Sequence, residues 1–108
     1  MPELNVSEIM KAIPEHFNPD KARGVTGIVQ CVFSGQQASN WVITINNKTC
    51  QVQENVAENP DLTIRADAGD GVKVLTGQLD AMRAYMLGKI KIGGDLTLGM
   101  KLINFFDR

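Results

Sequence analysis

Apolar and polar positions change period several times along the chain, and each change marks an element. From Val6 to Phe17 the apolar residues are Val6, Ile9, Met10, Ile13 and Phe17, the spacing of one helix face. Asn5 with Glu8 fits a capping box, with Ser7 as a competing cap. Pro14 and Asn18-Pro19 leave the last turn of this helix open, and Asn18-Pro19-Asp20 can start a second short turn. A strand follows over Val25 to Phe33, with Val25, Val29, Cys31 and Phe33 on one face and Ile28 and Val32 on the other. Ser34 to Ser39 is a polar loop. Trp41, Ile43 and Ile45 then alternate with Val42 and Thr44, and Asn46-Asn47-Lys48 turns the chain into Thr49 to Glu54, a predicted hairpin.

Asn59-Pro60-Asp61 breaks the chain before a further alternation, Leu62, Ile64 and Ala66 against Thr63 and Arg65. Asp67 caps a helix containing Val72, Val74 and Leu75, and Gly77 stops it. A second helix is expected from Leu79 to Leu87, with Leu79, Met82, Tyr85 and Met86 on one face and Gly88 as its stop. Lys89-Ile90-Lys91-Ile92 alternates strictly and reads as a fifth strand ended by Gly93-Gly94, after which Asp95 caps a last helix. The order is helix, four strands, two helices, strand, helix. Short turns between consecutive strands favour antiparallel pairing, and helices grouped outside the strand run favour an α+β layer with helices on one face of the sheet.

The last helix is over-supplied with apolar residues. Leu96, Leu98, Met100, Leu102, Ile103, Phe105 and Phe106 cover an arc of roughly 220° at about 100° per residue, leaving Thr97, Lys101 and Asn104 as the polar stripe. A surface helix needs an apolar stripe little wider than about 100°. Gly99 falls inside the apolar arc, where it costs on the order of 1 kcal/mol relative to Ala and frees space beside the helix. Pattern alone leaves three readings open: plain core burial first, then an oligomer interface or a ligand-lined pocket. The methionines lean towards a pocket, because thioether side chains adapt to ligands of variable shape. Met82 and Met86 at helical spacing are nevertheless ordinary core positions as well.

Composition narrows the class. The chain has 108 residues, enough for one domain over 1–108 and one packed core. Net charge is −1 and pI about 5.7, which argues against nucleic acid as a partner. No apolar run approaches the length of a bilayer span. The N-terminus shows no basic region followed by a long apolar run, so a cytoplasmic protein with Cys31 and Cys50 reduced is expected.

Catalytic signals are weak, and no enzyme activity, cofactor or metal is expected. His16 ends the first helix, where a capping or surface role fits better than that of a base. Cys31 and Cys50 lack the close spacing of a zinc or redox motif. No nucleophile elbow or phosphate loop is present, since Gly88-Lys89 is not followed by Ser or Thr. Asp67, Asp70 and Asp95 read as helix caps before metal ligands, and Lys89, Lys91 and Lys101 as a solvated face before an anion site.

Several runs together carry a resemblance: Asp61-Leu-Thr-Ile-Arg-Ala-Asp67, Leu75-Thr-Gly77, Gly88-Lys-Ile-Lys-Ile92, Gly94-Asp95 and Met100-Lys-Leu102. With Phe17-Asn-Pro-Asp-Lys21 and Trp41-Val-Ile-Thr-Ile45 they resemble a sterol carrier protein 2 domain over almost the whole chain. The resemblance implies a five-stranded, largely antiparallel sheet covered by helices and enclosing an apolar tunnel. It implies binding and transfer of a long-chain fatty acid, fatty acyl-CoA, phospholipid or sterol-like lipid, with transient membrane contact, by a monomer or weak dimer. It moves the pocket reading of the last helix ahead of the other two. The site residues it implies are Leu75, Met82, Met86, Leu98, Gly99, Met100, Leu102 and Ile103, with Phe105 and Phe106 shaping the entrance. The chain departs from the family pattern at Ile103, where some members carry a polar residue, and at Gly99, where Ala is common. The competing expectation is an accessory or oligomerisation module of the same fold, serving an enzyme of a lipid or isoprenoid-quinone pathway.

Overall fold

The computed structural model describes residues 5–36 and 38–104, with side chains described as far as Leu102 in the last helix. The element order is α1 (Val6–His16), β1 (Thr26–Ser34), β2 (Ser39–Asn46), β3 (Thr49–Glu54), β4 (Leu62–Asp67), α2 (Ala68–Leu75), α3 (Ala81–Met86), β5 (Ile90–Gly94) and α4 (Leu96–Asn104). Local chemistry sets the helix starts. The Ser7 N–H donates to Asn5 Oδ1 at 2.7 Å, so Asn5 is the cap of α1. Asp67 accepts from the Gly69 N–H, Asp80 from the Arg83 N–H, and Asp95 from the Leu98 N–H.

The five strands form one sheet in the order β3-β2-β1-β4-β5. Three pairings are antiparallel, but β1 and β4 run parallel, with Val29 opposite Leu62 and Cys31 opposite Ile64. The sheet is therefore mixed, within the largely antiparallel arrangement expected. The link from β3 to β4 must pass beyond β2 and β1 to reach its place, and Gln30 holds it there. The buried Gln30 side chain donates to the carbonyls of Trp41 and Asn55 and accepts from the Ala57 N–H at 2.6 Å. Asp61 completes the attachment, its carboxylate accepting from the Ile28 N–H at 2.8 Å.

Residues paired across the strands share a face. Val29, Ile43 and Leu62 lie side by side with Cys31, Trp41 and Ile64, on the face that the helices cover. Val6, Met10 and Ile13 of α1 and Leu98 and Leu102 of α4 close this core. The other face carries Gln51, Gln53, Thr44, Thr63, Arg65 and Lys91.

Most predicted boundaries shift by a residue, as in β1, which spans Thr26–Ser34 and not Val25 to Phe33, and two shift further. The second of the paired helices spans only Ala81–Met86, not Leu79 to Leu87, because Asp80 caps it. The fifth strand continues through Gly93 and Gly94, past the end that the glycine pair predicts. Gly94 has φ +98°, and a Cβ there would lie 2.5 Å from the Asp61 carbonyl oxygen. The glycine allows two backbones to meet, and the Asp95 N–H then donates to that same Asp61 carbonyl.

Candidate functional site

Helices α2 and α3 stand at one end of β4 and β5, and α4 at the other. The connectivity dictates this, since α2 leaves β4 directly after Asp67 and α4 follows β5 directly after Gly94. Between them, on the helix-covered face, lie Ile64 and Ile92, paired across β4 and β5. Both are only half-buried, whereas Val29, Ile43 and Leu62 on the same face are sealed. This pair is an apolar floor that the helices leave partly open.

The surrounding helices expose apolar side chains. Met82, Tyr85 and Met86 of α3 are exposed, Met86 to 81%. Leu75, at the end of α2, is also exposed. On α4, Leu96 and Met100 face outwards, Met100 to 60%. Leaving side chains of this size exposed forgoes part of the roughly 1.5–3 kcal/mol that each would gain on full burial, so apolar residues left outside on the helices at both ends of the floor mark a surface with a use.

The opposite side of α4 is seated on the sheet. Leu98 and Leu102 are buried, and Leu98 lies over Gly27, where a Cβ would come within 2.7 Å of Leu98 Cδ2. Gly99 faces Leu62, where a Cβ would make ordinary contacts at 3.6 and 3.7 Å. Among the predicted site residues, Leu98, Gly99 and Leu102 thus gather on the sheet-facing side of α4, and Met100 points away from them. Met82, Met86 and Leu75 belong to the other rim. The Ile103 side chain, Phe105 and Phe106 lie outside the described residues. An enclosed tunnel is not among the features that the described residues display. Ile64 and Ile92 were missing from the predicted site. Their alternation was legible as strand pattern, but only the helix placement distinguishes a half-open strand face from a sealed one.

The chemistry at hand is apolar. Burial raises the Cys31 thiol to about 12 and the Cys50 thiol to about 11, so neither is poised as a thiolate nucleophile. His16 is exposed at the end of α1. Among the described residues no group of three or more His, Cys, Asp or Glu side chains could hold a metal ion. No described helix is long and apolar enough to cross a membrane.

Among the described residues, four helices on one face of an open five-stranded mixed sheet, with an incompletely covered apolar floor, define an α+β domain. The chain matches the model of the SCP-2 sterol transfer family over residues 7–107 and belongs to that family. Hydroxysteroid dehydrogenase-like protein 2 of Xenopus laevis is 33% identical over 98 residues, 90% of this chain and 24% of that protein. Sterol carrier protein 2 of Bos taurus is 33% identical over 70 residues, 65% of this chain and 13% of that protein. The chain thus spans about a quarter or less of the length of these curated relatives. The solution structure of palmitated SCP2L2 from Aedes aegypti superposes with a TM-score of 0.75 at 25% identity, covering 92% of this chain and 88% of that one.

Proposed function

We propose that the chain binds a lipid without transforming it, holding an acyl chain on the Ile64–Ile92 floor between α4 and the α2–α3 pair. The observation that carries this reading is the half-buried Ile64–Ile92 pair, with exposed apolar residues on the helices at its two ends: Met82 and Met86 on α3, Leu96 and Met100 on α4. Family membership supports lipid binding in general, and the palmitated state of the Aedes aegypti neighbour supports a fatty acyl ligand in particular. Leu98 and Leu102 occupy the space nearest the sheet, so the ligand enters as α4 lifts from Gly27 and Leu62. Each buried methylene contributes roughly 0.8 kcal/mol. A sixteen-carbon chain therefore gains about 12 kcal/mol before association and ordering costs, enough for useful affinity without a charged anchor. A site selected by apolar contact accepts fatty acid, fatty acyl-CoA, phospholipid or sterol-like lipid. In this reading the protein works in the cytoplasm as a monomer or weak dimer, touching membranes transiently.

The test is saturable uptake of a fluorescent acyl probe by delipidated protein, with palmitate as competitor. Ile92→Gln places an amide on the floor at a half-buried position and should weaken uptake at least tenfold while the far-ultraviolet circular dichroism is unchanged. No uptake by the parent chain, with an empty dimer in native mass spectrometry, would favour an accessory module whose apolar rim meets protein.

A further inference from the structure

The face of the sheet opposite the helices has a feature that the lipid site does not use. A crevice of about 420 Å³ opens there between β4 and β5, lined by Pro60, Thr63, Arg65, Lys91, Ile92, Gly93 and Gly94. Arg65 and Lys91 are direct cross-strand partners, and Thr63 is paired with Gly93 one step along. Like charges placed directly opposite on a sheet are destabilising. Both side chains are exposed, and neither takes part in an ion pair among the described residues. A lysine on an edge strand is explained by protection against edge-to-edge pairing. That explanation covers Lys91 on β5 but not Arg65 on β4, which has a strand on either side.

The carboxylates at the two ends of β4 do not neutralise the pair. Asp61 is turned to the Ile28 N–H and Asp67 to the Gly69 N–H. Neither lines the crevice. Lys89, the next cation along the chain, is engaged with Asp70 at 3.9 Å. Space for a ligand comes from Gly93, where a Cβ would meet no heavy atom within 4 Å. A guanidinium fork, an ammonium and a hydroxyl around an open floor match the oxygens of a phosphate group.

We infer that Arg65, Lys91 and Thr63 form a phosphate-binding crevice on the open face of the sheet, separate from the lipid site and taking a phosphate ester. The ester is the headgroup of a phospholipid surface or a soluble organic phosphate; the chemistry recognised is the same. The inference does not depend on the acyl site: Ile92 lines the crevice as well, but the groups that would bind phosphate, Thr63, Arg65 and Lys91, alternate with Ile64 and Ile92 and lie on the other face.

Titration of the isotope-labelled full chain with inorganic phosphate at constant ionic strength tests it. Saturable amide shifts centred on Thr63, Arg65, Lys91 and Gly93 are expected. Arg65→Gln and Lys91→Gln should each weaken binding about tenfold. Both should fold at least as stably as the parent, because they relieve a repulsion. Gly93→Val, which fills the crevice without a contact clash, should abolish the shifts. None of the three should change palmitate uptake. Vesicles of phosphatidylcholine containing one quarter phosphatidic acid separate the sources: shifts at the same residues that phosphate competes away identify a headgroup, and no vesicle effect identifies a soluble ester. Shifts spread evenly over Lys11, Lys21 and Lys48, or unchanged in the Arg65→Gln/Lys91→Gln double variant, would overturn the inference.

Discussion

The seating of α4 on the sheet depends on one missing side chain. A Cβ on Gly27 would lie 2.7 Å from Leu98 Cδ2 and 3.3 Å from Cδ1. Carbon atoms in contact prefer about 3.5–4.0 Å, so Gly27→Ala creates an overlap of roughly 1 Å against a side chain that is itself buried. Overpacking of this kind costs typically about 1–3 kcal/mol. The loss of backbone freedom in the unfolded chain returns about 0.4–1 kcal/mol, leaving a net destabilisation of about 1–2 kcal/mol. Leu98→Ala removes the other partner and should cost about 2–5 kcal/mol. In the double variant the new methyl group occupies part of the vacated space. Its loss should be smaller than the sum of the two single losses by about 1–2 kcal/mol. Urea denaturation of the four proteins measures the cycle, and acyl-probe uptake by each reports on ligand entry, with Gly27→Ala expected to raise uptake by loosening α4. Strict additivity, or a Gly27→Ala protein as stable as the parent, would refute the seating of Leu98 over Gly27.

Three further outcomes are expected. Gln30→Ala leaves the Ala57 N–H and the Asn55 carbonyl without their partner, costing about 1–3 kcal/mol and exposing the Ala57 amide to rapid hydrogen exchange. The raised Cys31 thiol stabilises the fold fully below the ordinary value of 9.0, and that contribution is lost as pH rises towards about 12. The stability difference between the parent and Cys31→Ala should therefore shrink above pH 9 by up to about 1.4 kcal/mol per pH unit, measured by denaturation at stepped pH. Gly99→Ala meets Leu62 at ordinary contact distance and should raise stability by about 1 kcal/mol, whereas Gly99→Leu should reduce acyl uptake in a folded protein.

Much of this architecture is legible in the sequence. Period two located β1 to β4 and the start of β5, and the caps Asn5, Asp67 and Asp95 stood where helices begin. The signals fail where meaning depends on a distant neighbour. Gly93-Gly94 has the composition of a stop, yet Gly94 is a meeting point with Asp61, which leads into β4. Gln30, between Ile28 and Val32 on the second face of its strand, carries no local signal of its role, yet it is buried and fastens the crossing segment.

The candidate site divides in the same way. The excess apolar arc of the last helix is a property of the sequence, because helical geometry alone assigns residues to its sides. So is the conflict between that arc and a single packing surface. Which side is covered was decided by tertiary structure: Leu98 and Leu102 went to the sheet, and Leu96 and Met100 were left outside. The half-open Ile64–Ile92 floor and the Arg65–Lys91 pair on its reverse face likewise exist only because β4 lies between β1 and β5. Alternation tells which residues share a face of one strand. Only the order of strands and the placement of helices tell which face is sealed, which is open and which charges become neighbours.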